Sequence, residues 1–183
     1  MEDQGLVPEE KEILLKLARF AIMERLGSEA ELPVYEPSSG LNMPCGAFVS
    51  LHRKGQLRGC IGTFSAQNPL EKTVQEMARA AAFQDPRFAP VSESEIAEID
   101  LEISALSPMR EIEDIEKIEV GRHGLYVVDG PYSGVLLPQV AVEQVWDRYT
   151  FLEQTCLKAG LDRNRWRSGD IKIFVFSAQV FGE

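Results

Sequence analysis

The sequence predicts an α+β fold, with a largely antiparallel sheet and flanking helices. Alternating apolar and polar residues around short turns indicate two β-hairpins, one over residues 47–61 and one over residues 124–137. Each hairpin is followed by a helical pattern and then by one more strand, so the order hairpin, helix, strand occurs twice. We therefore expect a topological duplication that forms two unequal lobes within a single domain spanning residues 1–183.

The first half of the chain carries clear helix boundaries. The first helix is predicted to begin near Pro8 and to end at Gly27, because proline suits the first helical turn and glycine suits a left-handed terminal residue. Residues 28–46 are rich in proline and glycine and predict an irregular connection. After the first hairpin, Asn68 is predicted to cap a second helix, with Glu71 closing a capping box.

The remaining elements follow in the same order as in the first half. Alternate apolar residues predict a strand over residues 99–105. Pro138 is predicted to start a helix, and Thr150 to cap a further helix that ends at Gly160. A last alternating segment over residues 171–181 predicts the final strand.

The composition is that of an intracellular globular protein. A formal net charge of −10 argues against nucleic-acid binding, which depends on clustered Lys and Arg. No apolar run approaches the ~20 residues of a membrane-spanning helix, and the acidic start lacks the pattern of a secretory signal. Cys45, Cys60 and Cys156 have no CxxC spacing and fit a reducing compartment. We expect a cytoplasmic protein without nucleic-acid or membrane partners.

The first hairpin contains the most informative polar residues. With a three-residue turn at 53–55, Ser50 would lie opposite Arg58, and both would share a face with Cys60. The other face would be apolar and would include Leu57. A guanidinium two residues from a thiol would stabilise a thiolate and would bind an anion.

Six short segments share one resemblance. They are Gly46-Ala47-Phe48-Val49, Leu57-Arg58-Gly59-Cys60-Ile61-Gly62-Thr63, Asp85-Pro86-Arg87-Phe88, Val120-Gly121-Arg122-His123-Gly124-Leu125, Leu136-Leu137-Pro138-Gln139-Val140-Ala141 and Lys158-Ala159-Gly160-Leu161. These segments resemble hallmarks of the AMMECR family, named for the Alport syndrome, midface hypoplasia and elliptocytosis chromosomal region. Its prokaryotic members are called AmmeMemoRadiSam system protein A.

The resemblance extends from about residue 10 to Glu183. It implies a single AMMECR-type domain with an α+β fold, a larger and a smaller lobe, and a cleft near the motif at residues 57–62. It also implies association, by gene context or by fusion, with a Memo-type protein and a radical S-adenosylmethionine enzyme. The resemblance does not imply a particular reaction.

Three residues are candidate catalytic groups. Cys60 would be a nucleophile or acid–base group, Arg58 would hold an anion, and His123, on a glycine-flanked loop, would be a general base. Each has a structural alternative: Cys60 as a buried, inert thiol, Arg58 paired with an acid such as Glu102, and His123 as a turn residue bonded to backbone. His52, near the hairpin turn, is expected to be solvated.

Five further residues are candidate ligand-binding groups: Ser50, Asp85, Arg87, Gln139 and Glu143. Arg87 would bind an anion, although we favour the structural alternative in which Asp85 caps a turn and Arg87 pairs locally. Gln139 and Glu143 share one face of the helix that begins at Pro138. They would either line a pocket or be solvated.

Two functions follow from these candidates. The first is an enzyme, or an enzyme subunit, that acts on a small anionic molecule at a cleft lined by Arg58 and Cys60, with His123 or Glu143 transferring protons. The second is a non-catalytic ligand-binding or docking module that works with Memo-type and radical S-adenosylmethionine proteins. No HxxxH, HxH or CxxC spacing indicates a metal, and no motif assigns a cofactor.

Overall fold

The computed structural model describes residues 5–64 and 67–183. The helices are α1 Pro8–Leu26, α2 Ser39–Asn42, α3 Leu70–Phe83, α4 Pro138–Glu143 and α5 Arg148–Lys158. The strands are β1 Ala47–Arg53, β2 Gln56–Thr63, β3 Ile99–Leu106, β4 Arg110–Ile112, β5 His123–Asp129, β6 Tyr132–Leu136 and β7 Lys172–Gly182. Short 3-10 helices cover Glu93–Glu98, Ile115–Lys117 and Arg165–Ser168. Within the described ranges, no helix is long and apolar enough to cross a membrane.

The chain divides into two compact units of unequal size. The first unit comprises the described residues up to Leu106 together with Gln179–Glu183, and the second comprises Ser107–Ala178. In the first unit, β1 pairs antiparallel with both β2 and β3. In the second unit, β5 pairs antiparallel with both β6 and β7. The predicted α+β class, the antiparallel sheet and the repeated hairpin, helix, strand order are therefore confirmed.

Two predicted helix caps were wrong. The helix α3 begins at Leu70 with Pro69 at its N-cap position, so Asn68 does not cap it, and the Asn68 amide donates to Glu76 at 3.3 Å. Glu71 accepts a hydrogen bond from the Tyr35 hydroxyl instead of closing a capping box. The helix α5 begins two residues before Thr150, and the Thr150 N–H donates to the Asp147 carboxylate at 2.7 Å. At α5 the Asp147 side chain takes the capping role, whereas α3 has Pro69 at its N-cap position and no capping side chain.

The core of the first unit lies between the sheet and the helices α1 and α3. Its fully buried members include Leu14, Leu17, Val49, Leu51, Leu70, Val74, Leu101 and Ile103. At the predicted terminator Gly27, φ is 76°, and the Gly27 N–H donates to the Glu24 carbonyl. A Cβ built on Gly59 of β2 would lie 2.3 Å from the Ala81 carbonyl oxygen of α3. The strand β2 therefore packs directly against the backbone of α3 at this glycine.

The core of the second unit is formed by its sheet and the helices α4 and α5. Fully buried members include Leu125, Val127, Ala141, Phe151, Leu152 and Cys156. A Cβ built on Gly134 of β6 would lie 2.4 Å from the Ala159 backbone nitrogen. A glycine thus permits close approach of the second hairpin strand to a helix end in both units.

Candidate functional site

The turn of the first hairpin contains two residues, Lys54 and Gly55, rather than the three that we predicted. Their φ angles are 53° and 74°, which is the signature of a type I′ turn. The shorter turn shifts the register by one residue and a β-bulge in β2 shifts it by one more, so Ser50 lies opposite Cys60 and not opposite Arg58.

A β-bulge at Arg58 makes a second change to the hairpin. Leu51 pairs with Gly59 while His52 pairs with Leu57, so Arg58 is the extra residue in β2. The two-residue turn places Leu57 opposite His52, where Leu57 is 43% exposed, and the bulge returns Cys60 to the face of Ser50. Our assignment of Leu57 to the apolar core face was therefore wrong, because strict alternation along a strand does not hold across a bulge.

Arg58 is engaged by groups of the first unit. Its Nε and Nη2 donate to the Glu95 carboxylate at 3.0 and 3.2 Å, and its Nη1 donates to the Ala89 carbonyl at 2.9 Å. The hydrogen bonds from Arg58, with those from Ser92, lower the pKa of Glu95 from 4.5 to about 2. The acid paired with Arg58 is thus Glu95 and not the expected Glu102. Anion binding by Arg58 stays a prediction, and it requires a ligand that shares the guanidinium with Glu95.

Asp85 and Arg87 hold the backbone N–H and carbonyl of Cys60 at the open edge of β2. The Cys60 N–H donates to Asp85 Oδ2 at 2.9 Å, and Arg87 Nη2 donates to the Cys60 carbonyl at 3.1 Å. Arg87 also donates to both oxygens of Asp85, at 2.9 and 2.7 Å. Together these two side chains satisfy the open edge of β2, which is the edge strand of its sheet.

The two members of this ion pair differ in exposure. The Asp85 side chain is 1% exposed, whereas the Arg87 side chain is 54% exposed. The hydrogen bonds from Arg87 hold the pKa of the Asp85 carboxyl well below its usual range. The site therefore contains a buried carboxylate and a guanidinium whose outer part faces solvent.

The three cysteines occupy different environments. Cys60 is half-buried, and the Ser50 hydroxyl donates to its Sγ at 3.2 Å. Cys45 and Cys156 are buried in the cores of the two units, and burial raises the pKa of the Cys156 thiol. Of the three thiols, Cys60 is the one within reach of a small molecule.

The remaining predicted site residues lie in the second unit. His123 is the first residue of β5, and it is buried, with its Nδ1 accepting the Glu119 backbone N–H at 3.1 Å. Burial lowers the pKa of the His123 imidazole. Gln139 and Glu143 are exposed at the start and end of the six-residue helix α4. Ser50, Arg58, Cys60, Asp85 and Arg87, by contrast, all belong to the first unit.

Sequence reasoning missed Glu95. It is the acid that holds Arg58, and it also closes a capping box with Ser92 at the start of the 3-10 helix Glu93–Glu98. The Ser-x-x-Glu spacing was the available signal for that cap. In the part of the chain that the structure describes, no group of three or more His, Cys, Asp or Glu side chains is arranged to hold a metal ion.

The fold and this hairpin site define an α+β protein built on a duplicated hairpin, helix, strand unit. The chain belongs to the AMMECR1 family, whose profile matches residues 15–181. It is 45% identical to a protein of Methanopyrus kandleri, over 98% of this chain and 91% of that protein. It is 39% identical to a protein of Nanoarchaeum equitans, over 93% of this chain and 98% of that protein.

A solved structure shares the fold. The crystal structure of an uncharacterized protein from Pyrococcus horikoshii superposes with a TM-score of 0.79 at 42% sequence identity. The match covers 97% of this chain and 93% of that chain.

Proposed function

We propose that this protein is an enzyme, or a subunit of an enzyme, that acts on a small anionic molecule at Cys60. The observation that carries the proposal is the fixation of Cys60, whose N–H and carbonyl are held by Asp85 and Arg87 while its thiol contacts Ser50. Catalysis requires a reactive group held in place by rigid neighbours. A half-buried thiol on such a support suits a nucleophile or an acid–base group.

The cation in this proposal is Arg87. Its guanidinium is bound to the Cys60 carbonyl and is half-exposed, so an anion beside Cys60 would meet it without displacing the buried Asp85. The Arg58 side chain is only 16% exposed and is bound to Glu95, which makes Arg58 the weaker choice. Ser50 would contribute to substrate binding indirectly, through its hydrogen bond to the Cys60 thiol. Asp85 would contribute through its ion pair with Arg87.

Two alkylating reagents of nearly equal size test the proposal. Iodoacetate is anionic and iodoacetamide is neutral, and each transfers a two-carbon group to a thiolate with loss of iodide. The net charge of −10 repels anions in general, so a thiol without local positive charge should react more slowly with iodoacetate. We expect the ratio of iodoacetate to iodoacetamide rates at Cys60 to exceed that of free cysteine. A ratio below that of free cysteine contradicts the proposal.

A charge-neutral double variant assigns the effect to Arg87. Asp85→Asn with Arg87→Gln removes the guanidinium without leaving a buried carboxylate unpaired, and the rate ratio should fall to that of free cysteine. The matched control is Glu12→Gln with Lys16→Gln, which removes an exposed ion pair on α1. The control should keep the wild-type ratio. Mass spectrometry assigns the modified residue, with Cys45 and Cys156 as buried internal references.

The second candidate function is a docking module for the Memo-type protein that the family resemblance implies. It is favoured by a groove of about 680 Å³ between α1 and residues 29–34. Leu32 and Val34 at this groove are exposed, and Val34 is as accessible as in an extended chain. Glu29 and Glu31 line the same groove, and its two cations, Lys16 and Arg19, are paired with Glu12 and Glu183. The complementary surface on the partner would therefore be apolar with basic flanks.

Calorimetric titration with purified Memo-type and radical S-adenosylmethionine proteins of the same organism tests this candidate. Leu32→Ser with Val34→Ser should weaken binding of the Memo-type protein at least tenfold, while Cys60→Ser should leave it intact. Binding that is unaffected by the groove variant, or absent for wild type, contradicts the candidate. A cytoplasmic location is part of both proposals and is supported by the absence of CxxC spacing among the three cysteines of the sequence.

A further inference from the structure

Ser50, His52 and Cys60 lie on one face of the first-unit sheet. Along β1, Ser50 and His52 alternate with the buried residues Val49 and Leu51, which face the core. Cys60 is opposite Ser50 on β2. His52 is therefore the next residue on the thiol's own face, one row along β1 from Ser50.

The neighbouring strand β3 places carboxylates beside both residues of β1. Asp100 lies directly opposite His52, and Glu102 lies directly opposite Ser50. Directly opposite residues on one face have Cβ atoms ~5 Å apart, and diagonal neighbours lie within reach of long and aromatic side chains. His52 thus has Asp100 opposite it on β3 and Leu57 opposite it on β2, and Cys60 lies one row further along β2, beyond the bulge at Arg58.

We propose that His52 accepts the thiol proton of Cys60 and that Asp100 positions the His52 imidazole. This inference rests on the function proposed for Cys60 and adds its proton-transfer group. The S–H proton moves to a ring nitrogen of His52, which leaves a thiolate and an imidazolium. The Ser50 hydroxyl, already bonded to Sγ, donates to the thiolate, and the Asp100 carboxylate balances the imidazolium charge.

Histidine suits this role better than the carboxylates of the same face. An imidazole exchanges its proton near neutral pH, whereas Asp and Glu are ordinarily deprotonated there and are weak bases. The titratable groups that face His52 from the neighbouring strands are Asp100, Glu102 and Cys60. Arg53 follows His52 in the chain, but its guanidinium is paired with Glu95 and Glu98.

The dependence of Cys60 alkylation on pH tests the inference, with iodoacetamide as the probe. In His52→Gln the rate at about pH 7 should fall on the order of tenfold, because the thiolate fraction sets the rate. Near about pH 10 the wild-type and variant rates should converge, since most thiols are ionised there without assistance. A merely structural effect of the substitution would not produce this convergence. Asp100→Asn should also lower the alkylation rate near neutral pH, by a smaller factor than His52→Gln, and its rate should likewise converge with that of the wild type at high pH.

The second histidine provides a discriminating comparison, because the chain contains only two. If His123→Gln reproduces the loss and His52→Gln does not, the inference is overturned. A second measurement is the pH dependence of the two histidine ring signals in the NMR spectrum. The His52 signal should change its pH dependence in Cys60→Ser, and an unchanged signal also overturns the inference.

The two proposals fail in different ways. If Cys60 reacts readily in the native protein and keeps its iodoacetate preference, but its pH profile is the same in His52→Gln, the proposed function stands and the inference fails. If Cys60 resists both reagents until the protein unfolds, the proposed function fails, and the inference fails with it.

Discussion

The carboxylate of Asp85 accepts a hydrogen bond from the backbone N–H of Cys60 at 2.9 Å, although 25 positions separate the two residues in the chain. At this edge of β2 the Asp85 carboxylate accepts the backbone hydrogen bond that a neighbouring strand would otherwise accept. Arg87 completes the arrangement at the Cys60 carbonyl. The loop after α3 therefore sets the position of the thiol.

Asp85→Ala should loosen the strand at Cys60. The substitution leaves the Cys60 N–H without its acceptor and Arg87 without its buried partner. We expect the Cys60 amide to exchange with deuterium on the order of tenfold faster, as expected for loss of one hydrogen bond. Asp85→Asn is the control: it keeps an acceptor oxygen, so the Cys60 amide should exchange more slowly in Asp85→Asn than in Asp85→Ala. Equal exchange in wild type and Asp85→Ala contradicts a clamping role.

Gly59→Ala should destabilise the protein, because its Cβ would lie 2.3 Å from the backbone oxygen of Ala81. Backbone on both sides must shift, and overpacking of this kind typically costs about 1–3 kcal/mol. Gly5→Ala is a matched control, since its Cβ would meet only the end of the Gln179 side chain, which can rotate away. Urea unfolding of both variants checks the difference. A Gly59→Ala variant as stable as Gly5→Ala would contradict the close packing.

Glu95 should contribute a stability that depends on acid pH. Its pKa falls from 4.5 to about 2 on folding, mainly through the hydrogen bonds from Arg58. Because the folded value is the lower one, the contribution is complete above the unfolded pKa and is lost as the pH falls from 4.5 through about 2. The stability difference between wild type and Glu95→Gln should therefore shrink over that window. A difference that stays constant from about pH 6 to pH 2 would contradict the role of the carboxylate.

Lys54→Asn should stabilise the first hairpin. Lys54 has a φ of 53°, in the left-handed region that asparagine tolerates better than lysine, and Asn-Gly is a preferred type I′ turn. The exposed contact of Lys54 with Glu98 contributes little. We expect a gain of about 0.5–1 kcal/mol in the free energy of unfolding, measured with urea. Lys54→Val is the reverse control and should lower stability, because a β-branched residue is strained at positive φ.

Local patterns predicted the longer elements of the fold but not the short helix α2 or the short strand β4. Helix signals at Pro8 and Gly27 and alternation over residues 99–105 identified α1 and β3 in nearly their observed positions. These signals act over three or four residues, where propensity and periodicity dominate. The order of elements also predicted the duplication, because hairpins pair locally and require no distant partner.

The hairpin register was the point at which local reasoning failed. The turn length and the bulge at Arg58 depend on how β1 and β2 pack against α3, where Gly59 lies against Ala81. The turn and the bulge each shift the pairing by one residue, so Cys60 stays on the predicted face of Ser50, while Ser50 lies opposite Cys60 instead of Arg58. The same packing determined that Glu95 and not Glu102 is the partner of Arg58.

By itself, the sequence determined the fold class, the two units, the family and the motif that contains Cys60. Only the tertiary structure decided which side chains surround that thiol. The Asp85–Arg87 ion pair reaches Cys60 because α3 returns the chain to the edge of β2, and Asp100 faces His52 because β3 pairs with β1. Both relationships join residues that are far apart in the chain, and such contacts are set by sheet register and helix packing, not by local spacing.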